Sequence, residues 1–290
     1  MLLPAIAAFA ARAAEKRLSI PENYVFDSST KRAELQAQAR PLNWKALLSA
    51  RASIFYIGES HYNGSIRNEL ISRMPDFKKA GVTGLGVEVP YLLQPVLNRY
   101  LQKRDDAATR ALKAGLEQER IIAHEGMFRL IEAAAREKIE VLAIDQSYAG
   151  GRANFYVEVQ DVWMAGMLAG KLDSDPSAKL LVLLGSGHLH AKTQSRWLED
   201  HKWRSRRYIF LTAGLENPFS FRPDFSCVSD AEEYEYFTAL KGSFLWDQRL
   251  FFPRSSFDGY IILPETLTEI PLPRDRWPAD PAQLCLSASR

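Results

Sequence analysis

Short apolar runs rich in β-branched residues alternate with longer tracts of helical spacing, and this alternation restricts the fold more than any other feature of the chain. Ser53-Ile54-Phe55-Tyr56-Ile57 reads as a buried strand that ends in Gly58. A helix is predicted from about Gly64, with Ile66, Leu70, Ile71, Met74 and Phe77 at helical spacing and Gly81 as its C-cap. Leu85 to Val89 forms a second strand, stopped by Pro90, and a helical tract in three pieces follows to about Glu137. Val141 to Ile144 is a third strand. A helix near 154–171 leads to a fourth, Leu180 to Leu184, and a short helix near 190–200 leads to Tyr208–Leu211. Tyr260 to Leu263 is the last strand. Strands that alternate with helices in this way build βαβ units and a parallel sheet. The units are too few and too unevenly spaced for an eight-fold barrel. The expected fold class is α/β, a mostly parallel central sheet with helices on both faces and a helical N-terminal extension.

The extension covers 1–50, with helical stretches near 4–17 and 31–50 separated by the loop Asp27-Ser28-Ser29-Thr30. Pro41 interrupts the second stretch or restarts it as a first-turn proline. The α/β domain spans 51–272, and a tail occupies 273–290. Within the domain, 215–255 is aromatic-rich and irregular, with one helix expected near 230–240. Lys plus Arg number 37 and Asp plus Glu 35, a net charge of +2 that lacks the basic excess of a nucleic-acid binder. Two cysteines, Cys227 and Cys285, provide neither a disulfide framework nor a Cys-based zinc motif. No apolar run is long enough to span a membrane. Leu2–Ala10 is apolar and Ala8-Phe9-Ala10 resembles a cleavage site. No Lys or Arg precedes it, so an Ala-rich first helix and a cytoplasmic chain are expected over an exported one.

Ligands of open parallel sheets bind outside the carboxyl ends of the strands. Strand one delivers Gly58-Glu59-Ser60-His61 there, strand two Glu88, strand three Asp145-Gln146, and strand four Gly185-Ser186-Gly187-His188-Leu189-His190. Three of the five histidines fall in this set, which concentrates acid–base chemistry at one edge. Glu88 lies between Val87 and Val89, so its carboxylate is expected to be at least half-buried and to need a partner. His124 and His201 have polar surroundings and read as surface or capping residues. Gly185-Ser186-Gly187 lacks the nucleophile-elbow pattern, which argues against a serine hydrolase.

A strand ending in Gly-Glu-Ser-His, a Val-Glu at the next strand end and a later strand ending in Gly-x-Gly-His together resemble the erythromycin esterase/ChaN/TIKI superfamily. Asp161-Val162-Trp163-Met164-Ala165 resembles the helix that precedes the Gly-x-Gly-His strand in ChaN-like proteins, and Phe257–Leu263 resembles their final strand. The resemblance implies Glu59, His61, Glu88 and His188 as the catalytic set. His190 follows where many relatives carry a small residue. It implies a hydrolase of an ester, lactone or amide in a partly apolar small-molecule or peptide substrate, with water activated by the His/Glu cluster. The same four residues, with His190 as a further candidate, are the ligands implied for a divalent metal: Mn, Fe, Co or Zn. Alternatives are a haem- or metal-binding ChaN-like protein, or a non-haem metal enzyme with oxygen chemistry. His61→Ala and His188→Ala are each expected to abolish activity while circular dichroism shows the fold intact. A variant that unfolds would instead mark a structural histidine.

Overall fold

The computed structural model describes residues 40–49, 51–59, 64–119, 121, 124–146, 157–185, 187–190, 193–203, 205–211, 243–245 and 259–262. The stretch near 4–17, the helix near 230–240 and the 273–290 tail lie outside these residues. In chain order the elements are β1 (Arg40–Pro41), α1 (Trp44–Leu47), β2 (Ile54–Glu59), α2 (Ser65–Lys79), β3 (Gly84–Pro90), a 3-10 turn (Tyr91–Leu93), α3 (Gln94–Lys103), α4 (Asp106–Gln118) and α5 (His124–Arg136). They continue as β4 (Glu140–Asp145), α6 (Val157–Ser174), β5 (Leu180–Gly185), α7 (Gly187–His190), α8 (Thr193–Asp200), β6 (Ser205–Leu211), β7 (Ser243–Leu245) and β8 (Gly259–Ile262).

The strands form one sheet in the order β1-β7-β8-β6-β2-β5-β3-β4. Pairing is parallel from β8 through β6, β2, β5 and β3 to β4, and antiparallel between β8 and β7 and between β7 and β1. The α/β class and the mostly parallel sheet expected from the sequence are therefore present, as are the three helical pieces after β3. Two local expectations are corrected. Residues 40–41 pair as a strand with Phe244 and Ser243, and only Trp44–Leu47 of the described part of 31–50 is helical. Pro41 has no N–H to continue a helix, and Asn43 starts a new one by accepting a hydrogen bond from the Ala46 N–H at 3.1 Å. The short helix expected near 190–200 is two helices, and the first begins at Gly187, directly after β5.

Side chains alternate between the two faces of each strand. Phe55, Ile57, Leu85, Val87, Val89, Val141, Ala143, Leu181 and Leu183 join one buried cluster with residues of α1 to α5. Ile54, Tyr56, Leu180, Val182 and Leu184 are buried but stand outside that cluster. Their face is covered by α6, whose Met164, Ala165, Leu168 and Leu172 are buried and four residues or fewer apart. Both faces thus carry helices. Gly81, at φ 87°, ends α2 in a conformation that costs glycine little. The Gly81 N–H reaches the Lys78 carbonyl, and the Val82 N–H reaches the Phe77 carbonyl.

At the far edge, no strand among the described residues lies on the outer side of β4. The Gln94 amide lies along it: its NH₂ donates to the Val141 carbonyl at 2.8 Å and its oxygen accepts from the Ala143 N–H at 2.7 Å. On the α6 face, a Cβ on Gly86 would meet Val182 and Leu168 at 3.2–3.3 Å. Gly86 is the reason α6 lies so close to β3. Gly86→Val is expected to lower stability by about 1–3 kcal/mol through overpacking. Urea denaturation would read this as a lower midpoint, and an unchanged midpoint would show that α6 can yield.

Candidate active site

β5 lies between β2 and β3, and β4 lies beyond β3, so four parallel strands end side by side. Glu59 is in register with Gly185, Val87 with Leu183, and Pro90 with Asp145. Glu88 therefore follows Val87 at the level where β2 and β5 also finish. The strand-end residues picked out in the sequence converge because the chain places its fourth crossover strand between the first two.

Alternation sends Glu59 to the face occupied by α2, the same side as Phe55 and Ile57. There it meets Arg67. Its Oε2 accepts from Arg67 Nε at 2.9 Å and its Oε1 from a terminal guanidinium nitrogen at 2.5 Å. The pair is nearly sealed from solvent, with Glu59 at 2% and Arg67 at 1% exposure. Bidentate geometry of this kind compensates two charges whose desolvation is otherwise severe.

Glu88 falls on the other face, toward α6. Its Oε2 accepts from the Gly185 N–H at 2.6 Å, and its Oε1 lies 3.3 Å from His188 Nε2. The opposite ring nitrogen, Nδ1, lies 2.8 Å from Asp161 Oδ1 on α6. Gln194 of α8 donates to that same Asp161 oxygen at 3.2 Å. His188 thus stands between two carboxylates, one fully buried. Burial opposes the charged ring, but the hydrogen bonds to Asp161 and Glu88 and their negative charges prevail. The His188 pKa is pushed up to about 10. A raised imidazole pKa stabilises the fold fully below its ordinary range near 6.5, and that contribution is lost as pH rises through about 10.

Asp145, at the end of β4, accepts from the Gln160 side-chain amide at 2.5 Å and from the Gln146 N–H at 2.7 Å. Burial, with the charge of Glu88 adding to it, pushes its pKa up to about 6 against those hydrogen bonds. Its contribution has the same sign as that of His188 at lower pH: it favours the fold below the ordinary carboxylate range and fades as pH rises through about 6.

Of the residues expected at the site, Glu88 and His188 are in direct contact, and Glu59 ends β2, one strand away from β3, with Arg67 as its partner. His61 lies outside the described residues, and His190 is described only as the last residue of α7. His201 is exposed, as expected, and stacks on Trp197. Arg67, Asp161, Gln160 and Gln194 were missed as partners, although two of them carried a signal. Arg67 occupies the apolar stripe of Leu70, Met74 and Phe77, and Asp161 that of Met164, Ala165, Leu168 and Leu172. A charge on a buried stripe requires a counter-charge at the sheet.

The described donor set does not fit a divalent metal. Both His188 nitrogens face carboxylates, and both Glu59 oxygens hold a guanidinium whose positive charge repels a cation. Among the described residues, no three His, Cys, Asp or Glu gather so as to hold an ion. Arg67→Ala is expected to cost about 3–5 kcal/mol by leaving the Glu59 carboxylate buried with its cation removed. Glu59→Gln combined with Arg67→Met should recover most of that loss in urea unfolding. A double variant as unstable as Arg67→Ala would refute the charge argument.

No family model and no curated protein sequence matches the chain. Solved structures do. A mutant of the erythromycin esterase EreC in its open conformation aligns over 79% of this chain and 94% of its own, with 12% identity and a TM-score of 0.55. The type III effector HopBA1 aligns over 78% of this chain and 97% of its own, at 17% identity and a TM-score of 0.49. ChaN of Campylobacter jejuni, whose structure shows cofacial haem binding, aligns over 59% and 87%, at 12% identity and a TM-score of 0.46. No helix of the described residues is long and apolar enough to cross a membrane. On the first of these likenesses the chain has the fold of erythromycin esterase, the architecture that its strand-end motifs resemble.

Proposed function

We propose that the chain is a hydrolase that cleaves an ester or lactone, with an amide as the harder case, in a partly apolar substrate. The observation that carries this reading is the chain of contacts Asp161–His188–Glu88 at the common strand edge. A carboxylate on Nδ1 fixes an imidazole's orientation and stabilises its positive charge. With its pKa near 10, His188 is an imidazolium at neutral pH and has no lone pair with which to take a proton from water. Its role in this proposal is therefore proton donor, and the base is His61, two residues past Glu59 at the end of β2.

Water loses a proton to His61 while its oxygen attacks the acyl carbon. The carbonyl electrons move to oxygen, giving a tetrahedral intermediate. As that intermediate collapses, the bond to the leaving alkoxide breaks and the alkoxide takes the Nε2 proton of His188. Solvent then returns both histidines to their starting states. Glu88, tethered to the Gly185 N–H, holds the ring while the substrate is absent. Glu59 is occupied by Arg67 on the opposite face of the sheet and takes no part in the proton transfers.

This division of roles predicts a bell-shaped pH profile for kcat/KM on a panel of alkyl esters and lactones. The acid limb should mark protonation of the base. The alkaline limb should fall near pH 10, as His188 loses one. His188→Asn should lower kcat by about 10²–10⁴-fold and remove the alkaline limb. A wild-type profile that climbs unbroken beyond pH 10 would exclude His188 as the donor. Elemental analysis and an absorption spectrum of the purified protein belong beside these assays. Stoichiometric metal or a Soret band would replace this reading with the metal or haem alternative.

A further inference from the structure

We infer that Asp161 is the positioning residue of the site: it fixes the His188 ring through Nδ1, so that Nε2 alone is free to exchange its partner for substrate. The inference rests on the hydrolase reading for its kinetic consequence, though not for its geometry. The two bonds of the ring are unequal. Asp161 is fully buried and 2.8 Å from Nδ1, whereas Glu88 is partly exposed and 3.3 Å from Nε2. The shorter contact is on the dry side, where a charged hydrogen bond is strongest and has no water to replace it. The longer contact is on the wet side, where an incoming oxygen can compete.

Asp161 and the residue before it on α6 are both tied to neighbouring elements. Gln194, buried on α8, donates to the oxygen that His188 uses. Gln160, the preceding residue on α6, reaches Asp145 at the end of β4. Two adjacent side chains on one helical turn are thereby anchored to the end of β4 and to the helix that follows β5, with Glu88 of β3 between them. A small rotation of α6 would disturb both contacts, so the helix gauges the position of His188 against the sheet. Among the described residues, the charged groups that face this ring are Asp161 from α6, Glu88 from β3 and Asp145 from β4.

The test is Asp161→Asn, nearly isosteric, read in two ways. In ¹⁵N-edited NMR the wild type should show a downfield Nδ1 proton, and His188→Asn should remove it as the assignment control. Asp161→Asn should abolish or move that resonance upfield, lower kcat by about 100-fold and leave KM within about threefold, the mark of misplacement rather than lost binding. A resonance and kcat both unchanged in Asp161→Asn would overturn the inference. If the wild type hydrolyses no ester or lactone yet the resonance responds as expected, the hydrolase reading fails and the positioning role stands. Should Asp161→Asn not fold, Gln194→Met takes its place. Removing the second donor should broaden or shift the Nδ1 proton and lower kcat several-fold, and no effect on either would count against the inference.

Discussion

Everything at the site depends on β5 entering the sheet between β2 and β3. Strands that are neighbours in sequence would otherwise be neighbours in space, and Glu59 and Glu88 would end adjacent strands with no third strand between them. The insertion separates them by one strand and supplies the Gly185 N–H that holds Glu88. It also sends the chain directly into α7, which carries His188 back over the ends of its neighbours. The energetic basis of that placement is hydrophobic: β5 is buried along its whole length and packs helices on both sides. The polar cluster sits on the rim of this apolar slab, where half-exposed charges are tolerable and fully buried ones must be matched.

The alternation of side chains then separates the two glutamates. Glu59 and Glu88 end strands two apart, yet they point to opposite faces of the sheet. One meets an arginine delivered by α2, and the other meets a histidine braced by α6. A sheet edge thus holds two charge-compensated units of different character, one with a cation that never loses its proton and one with a cation that can.

The α/β class, the buried strands and the three helices after β3 were legible because each rests on local periodicity, and local periodicity is what a sequence displays. The strand-end residues were legible for the same reason: Glu88 follows an apolar run, and His188 follows glycine. What could not be read was order across the sheet. Nothing in the spacing of Leu180–Leu184 says that this strand separates β2 from β3, and the contact between Glu88 and His188 depends on that non-local fact. Arg67 and Asp161 were hidden differently. Each sits on an otherwise apolar helical stripe, where a charge is a demand for a partner that the sequence does not name. The strand at Arg40–Pro41 was misread because its pairing partner, Ser243–Phe244, is some 200 residues away.

The Gln94 amide on the outer side of β4 has a consequence for the molecule among its own copies. Its carboxamide offers an oxygen and an NH₂ in the pattern of a passing backbone, and so ends the ladder with a single side chain. At the opposite end, β1 is two residues long and contains a proline, which lacks the donor that another chain would need. Among the described residues, the two margins of the sheet are therefore guarded by quite different means. Among the described residues, neither margin offers a second copy a long run of free backbone groups on which to pair strand against strand.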